Sequence, residues 1–125
     1  MQDGKVVIVI GHRMGKGKNV ALGIEKAGGI AHVIGGMLAD MKLGDVMKEK
    51  GADIGISFCG SGGAGALTAQ TKFGYKAKHS LRSVDEGVAA LREGYNVLGF
   101  GFLDTEELGE KLTETFYNMS DSHGK

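Results

Sequence analysis

The segment Asp53-Ile-Gly-Ile-Ser-Phe-Cys-Gly-Ser-Gly-Gly-Ala-Gly65 runs directly into Ala66-Leu-Thr-Ala-Gln-Thr-Lys72, and it constrains the fold more than any other stretch of the chain. Asp53–Phe58 alternates small and apolar residues, the pattern of a strand. Four glycines then occupy the six positions 60–65. Ala64–Lys72 reads as a helix that ends at Gly74. A strand, a tight turn and a helix start in that order gather several N–H groups around one point, and the helix dipole adds positive potential there. A small anion is the expected occupant. Cys59 stands at the edge of that field, where a thiolate is favoured over a thiol; the plainer alternative is a buried, inert small hydrophobe.

The same alternation runs through the rest of the chain. Lys5–Ile10 is a continuous apolar run, as for a strand buried on both faces. The loop Gly11-His-Arg-Met-Gly-Lys-Gly-Lys18 follows, and Asn19 is placed to cap a helix ending at Gly28-Gly29. Ile30–Ile34 predicts a second strand, and Gly44–Lys50 a short helix closed by Gly51. Tyr75–His79 predicts a fourth strand, Ser83-x-x-Glu86 a capping box opening a helix to Arg92, and Val97–Phe102 a fifth strand. Asp104 or Thr105 then caps a last amphipathic helix with Leu108, Leu112 and Phe116 on one face, and the polar tail Ser120–Lys125 is expected to fray. Five strands alternating with helices predict an α/β fold: a three-layer, Rossmann-like domain spanning residues 1–125 with an open parallel sheet. Ligands in such sheets bind beyond the carboxyl ends of the strands, where both glycine-rich loops begin.

Composition narrows the function classes. Fifteen basic and 15 acidic residues cancel, which disfavours a nucleic-acid partner. A single cysteine precludes an intrachain disulfide and fits a reducing compartment, so a cytoplasmic location is expected. The apolar run Val6–Ile10 is too short for a signal sequence or membrane span, so no membrane insertion is expected. The 23 glycines are interleaved with Val, Ile, Leu and Met rather than clustered in low-complexity tracts, and they read as tight turns and close backbone packing.

The first loop fails the phosphate-binding motif G-x-x-x-x-G-K-[ST]: Gly11 to Gly17 is one residue too long, and Asn19 stands where a metal-binding hydroxyl is needed. It also lacks G-x-G-x-x-G in register. What it offers is His12, Arg13, Lys16 and Lys18, either a cationic wall for an anion or a solvated loop. His32 and His79 lie in or beside strands and read as structural residues, and Phe73 and Tyr75 as packing residues. No His/Cys/Asp cluster has metal-ligand spacing, so neither metal nor cofactor is expected.

Ser57-Phe-Cys-Gly-Ser61, in a glycine-rich chain of this length, resembles the glycine-rich SFCGS family over nearly the whole sequence. That resemblance implies a role in carbohydrate uptake or breakdown, because members tend to occur beside membrane proteins and sugar-acid enzymes. More distantly, Gly55-Ile-Ser-Phe-Cys-Gly-Ser-Gly-Gly-Ala-Gly65 and Gly11-His-Arg-Met-Gly15 are similar to loops of the type B ribose-5-phosphate isomerases and galactose-6-phosphate isomerase subunits, and Asn96-Val-Leu-Gly-Phe-Gly101 followed by Glu107-Leu108 and Phe116 is similar to their last strand and helix. The likeness implies Cys59 as catalytic base, Ser61 as its hydroxyl partner, and the amides of Gly60, Ser61, Gly62, Gly63 and the nearby Gly65 around an enediolate oxygen. It implies ligand contacts from His12 and Arg13, and a homo-oligomer, since those isomerases build their site at a dimer interface. Three departures stand against it. The ring-opening His after an Arg-Glu pair is replaced by Gly94, Phe102-Leu103-Asp104 offers no phosphate-gripping Arg, and the Asp before His12 is missing. His79, Lys76 or Arg82 are the candidates to substitute.

Two readings follow. One is a protein binding a small anionic ligand, a phosphorylated sugar or sugar acid, with an aldose–ketose isomerase-like reaction at Cys59. The other is a non-catalytic cytosolic component of a carbohydrate uptake system that binds a membrane-transporter partner, where Cys59 carries a phosphoryl group or none.

Overall fold

The computed structural model describes residues 1–12, 17–34, 42–58, 74–101 and 103–123, with only the backbone given for His12 and for 121–123. Five strands form one all-parallel sheet in the order β2-β1-β3-β5-β4: β1 Val7–His12, β2 Ile30–Ile34, β3 Ile54–Phe58, β4 Ala77–Leu81 and β5 Val97–Phe100. The described helices are α1 Lys18–Lys26, α2 Leu43–Lys50, α3 Val84–Arg92 and α4 Glu106–His123. The expected helix over 64–72 lies outside the described residues.

Side-chain alternation along the strands divides the core in two. Val6, Ile8 and Ile10 with Ile54, Ile56, Phe58, Leu98 and Phe100 face α1, α3 and α4, which contribute Val20, Ile24, Ala90, Leu91, Leu108 and Leu112. On the other face Val9 and Val97 pack with Leu43 and Met47 of α2. Helices therefore cover both faces of the sheet, giving the three-layer Rossmann-like arrangement. The apolar run that predicts β1 is fully buried from Val6 to Ile10, which explains why it lacks the polar alternation of a half-exposed strand.

Several boundaries differ from the sequence expectation. Asn19 does not cap α1. Gly17 does, at φ 114° and without a side-chain cap, and a Cβ there would lie 2.7 Å from Ile10 Cγ2. The missing acceptor comes from far along the chain: Asp104 Oδ1 accepts a hydrogen bond from Val20 N at 3.0 Å, and Asn19 Nδ2 donates to the Asp104 carbonyl at 3.3 Å. Asp104 is thus spent on α1, and Thr105 caps α4 by accepting from Leu108 N at 3.2 Å. β4 lies two residues beyond the expected Tyr75–His79, because Lys76 O instead accepts from Asn96 N and Val97 N ahead of the ladder. Ser80, at φ 64°, marks the irregularity between Lys78 and Leu81 in that edge strand. The capping box at Ser83 forms: Ser83 Oγ accepts from Glu86 N at 3.1 Å, and Glu86 Oε1 accepts from Arg82 N at 2.7 Å.

Candidate ligand-binding site

The sheet order reverses between β1 and β3. From β1 the chain crosses to β2 on one side, then returns to β3 on the other. β1 and β3 therefore connect to strands on opposite sides of the sheet, the topological arrangement at which open parallel sheets bind ligands. Register makes this concrete. His12 pairs with Phe58, Phe58 with Phe100, and Phe100 with Leu81, so four strands end in one row. The segments beginning at 13 and at 59 start from neighbouring strand ends.

Of the predicted site residues, His12 has its backbone at the end of β1. Arg13, Cys59, Gly60, Ser61, Gly62, Gly63 and Gly65 lie outside the described residues, as do Lys16 and Phe73. Lys18 opens α1 as an exposed residue. β3 ends at Phe58. It is fully buried, with its ring centroid 6.0 Å from that of Phe100 at an interplanar angle of 38°. This aromatic pair anchors the point from which the Cys59 segment departs.

The substitutes considered for ring opening and phosphate capture are split between the two edges of the sheet. Arg82 follows Leu81 at the carboxyl edge and is exposed. His79 is exposed in edge strand β4, with Nδ1 3.0 Å from Ser80 Oγ. Lys76 lies ahead of β4 at the opposite edge. Its ammonium donates to the Glu93 carbonyl at 3.2 Å and sits 4.7 Å from the centre of the Tyr95 ring, so it closes the end of α3. Gly94 is at that same amino edge, between α3 and β5, with φ 100°, a backbone conformation that side-chain-bearing residues rarely adopt. Within one chain, the position where the isomerase likeness would put a histidine is thus far along the strands from Phe58. His32 is half-buried in β2 beside Val9. Tyr75 packs against the α2-face cluster, and burial pushes its phenol up from the ordinary value.

Ser57 carried no role in the sequence reading beyond its place in the motif. It is fully buried in β3, and its register partners on both sides are glycines, Gly11 and Gly99. Its hydroxyl has no hydrogen-bond partner among the described residues. A polar residue inside an otherwise apolar buried strand was the available signal. Among the described residues no group of His, Cys, Asp or Glu is arranged to hold a metal ion, and no helix is long and apolar enough to cross a membrane.

The fold and its paired strand ends define an open, all-parallel α/β protein whose strand order reverses between β1 and β3. Type B ribose 5-phosphate isomerases share this fold. The Trypanosoma brucei enzyme superimposes with TM-score 0.68 at 20% identity, covering 90% of this chain and 85% of that one. The Mycoplasma genitalium enzyme, solved with bound ribulose-5-phosphate, gives 0.65 at 17% identity over 94% and 93%. The Clostridium thermocellum enzyme gives 0.65 at 22% over 89% and 83%. By sequence the chain belongs to the glycine-rich SFCGS family, whose profile matches residues 6–119. No curated protein matches it.

Proposed function

We propose that this chain binds a small anionic sugar-like ligand, a phosphorylated sugar or a sugar acid, at the carboxyl edge between β1 and β3. Cys59 acts as the base of an aldose–ketose isomerase-like reaction, with Ser61 as its hydroxyl partner. The amides of Gly60, Gly62, Gly63 and Gly65 surround the reacting oxygen, and His12 and Arg13 approach from the first loop. The observation that carries this reading is the in-register pairing of His12 with Phe58, since it starts both glycine-rich segments side by side at the reversal point. The shared fold with enzymes acting on ribose 5-phosphate supports the ligand class.

The chemistry needs little else. A thiolate removes the proton from the carbon beside the carbonyl and becomes a thiol, and the electron pair moves to the carbonyl oxygen as an enediolate. Fixed N–H donors hold that charge. The thiol then gives its proton to the former carbonyl carbon while the hydroxyl proton passes from the second oxygen to the first, and the thiolate is regenerated. A homo-oligomer is part of this reading, as the likeness to the isomerases implies.

The non-catalytic reading has specific support of its own. Gly94 adopts a left-handed backbone where a ring-opening side chain is expected, and Lys76 is committed to the end of α3. A thermal-shift screen with D-ribose 5-phosphate, D-gluconate and inorganic phosphate, followed by deuterium exchange into any bound sugar, separates the two. A probe at about a hundred times its Kd stabilises the native state by roughly 2.7 kcal/mol, a shift of several degrees for a chain this size. The catalytic reading expects exchange at the carbon beside the carbonyl, abolished by Cys59→Ala with binding kept. Binding without exchange in the unaltered protein selects the uptake-component reading, and no shift with any probe defeats the ligand class.

A further inference from the structure

We infer that the Ser57 hydroxyl is a ligand-contacting group at the floor of this site, donating or accepting a hydrogen bond with a hydroxyl or carbonyl oxygen of a polyol ligand. The inference rests on the ligand edge proposed above and adds a binding residue to it. Ser57 stands on the sheet face that packs against α2, as alternation from Gly55 requires. One row toward the amino edge, Val9, Gly55 and Val97 lie side by side, and Met47 fills the space over the glycine: a Cβ on Gly55 would lie 2.3 Å from Met47 Sδ. In the next row the strands present Gly11, Ser57 and Gly99. The flanking glycines have no side chain to bond the hydroxyl or crowd it, and this row is the last on that face among the described residues of β1 and β3.

A buried hydroxyl without a partner is destabilising, because its desolvation is not offset by a hydrogen bond. Two other buried side-chain oxygens also lack partners among the described residues, Asn96 Oδ1 and Thr113 Oγ1. Asn96 precedes β5 at the amino edge, and Thr113 is in α4 against the turn at Gly29, both away from the strand ends where ligands enter. Ser57 alone of the three lies beside the reversal point. Its hydroxyl is neutral, so it matches the uncharged oxygens of a polyol rather than the anionic end, which suits the amides and cations of the loops.

The test is Ser57→Ala in the full chain, with two measurements. Without ligand, the variant should melt at the same temperature as the unaltered protein or higher, because the change removes an unmet polar group. With D-ribose 5-phosphate or D-gluconate as probe, its affinity should fall about tenfold, the loss of one ordinary hydrogen bond, while affinity for inorganic phosphate should be unchanged. A lower melting temperature without ligand overturns the inference, since it would place the hydroxyl's partner inside the protein. Unchanged sugar affinity overturns it as well and leaves the ligand edge intact. If the unaltered protein binds none of the probes, the ligand class fails separately, and the melting comparison still decides whether the Ser57 hydroxyl has a partner within the chain.

Discussion

At the scale of single residues, a few polar side chains join segments that lie far apart in the chain. The Tyr117 hydroxyl accepts from Val6 N at 3.1 Å and donates to Gly28 O at 2.7 Å, tying the last helix to the start of β1 and to the turn before β2. Asp53 Oδ2 accepts from Val7 N at 2.8 Å, and Asp104 Oδ1 from Val20 N. Val6 is fully buried, so loss of its partner leaves an amide with no route to water. Tyr117→Phe should therefore destabilise the protein by about 1–3 kcal/mol while leaving the helix content intact, measurable as a lower urea midpoint at unchanged slope. None of these links is readable from the sequence. Asp104 looks like a cap for the helix that follows it, and local spacing gives no hint that its carboxylate serves α1 instead. The Cys59 motif is a run of adjacent residues and so can be read directly from the sequence, whereas the solitary buried hydroxyl of Ser57 gains meaning only when Gly11 and Gly99 are seen beside it.

At the scale of elements, α1 and α4 meet backbone to backbone. A Cβ on Gly23 would lie 2.0 Å from Glu106 O, and one on Gly109 would lie 2.1 Å from Val20 O. The composition signalled close packing, but not which glycines perform it. Alanine favours a helix over glycine by up to about 1 kcal/mol, yet the obstructing atoms here are carbonyls that cannot rotate away. Gly109→Ala should thus be destabilising by about 1–3 kcal/mol through overpacking, despite its better helix propensity. Gly101→Ala is the control, since a Cβ there meets nothing within 4 Å, and thermal melts of the two variants check the contrast. The types and order of the described elements followed from hydrophobic period, because the buried runs at Val6–Ile10 and Val97–Phe100 are unambiguous. Boundaries slipped at β4, an edge strand with exposed Lys78, His79 and Ser80, where no buried face dictates the register.

At the scale of the whole molecule, the first and last helices share one layer and the strand order departs from chain order. β5 lies between β3 and β4, so β4 has no neighbour in the sheet except a strand that comes after it. A chain cut after Asn96 lacks the bridging strand and α4 together, and the face holding Ile8, Ile10, Phe58 and Val20 loses its partners Phe100, Leu108 and Leu112. Such a fragment should show no cooperative melt by circular dichroism, whereas the full chain should unfold in one transition. Insertion of β5 also bears on how the protein is made. Until the ribosome has added residues 97–100, β3 can pair with β1 alone. The row that joins the ends of β1, β3, β5 and β4 can therefore close only once the strand at 97–100 exists, although three of its four members are made earlier.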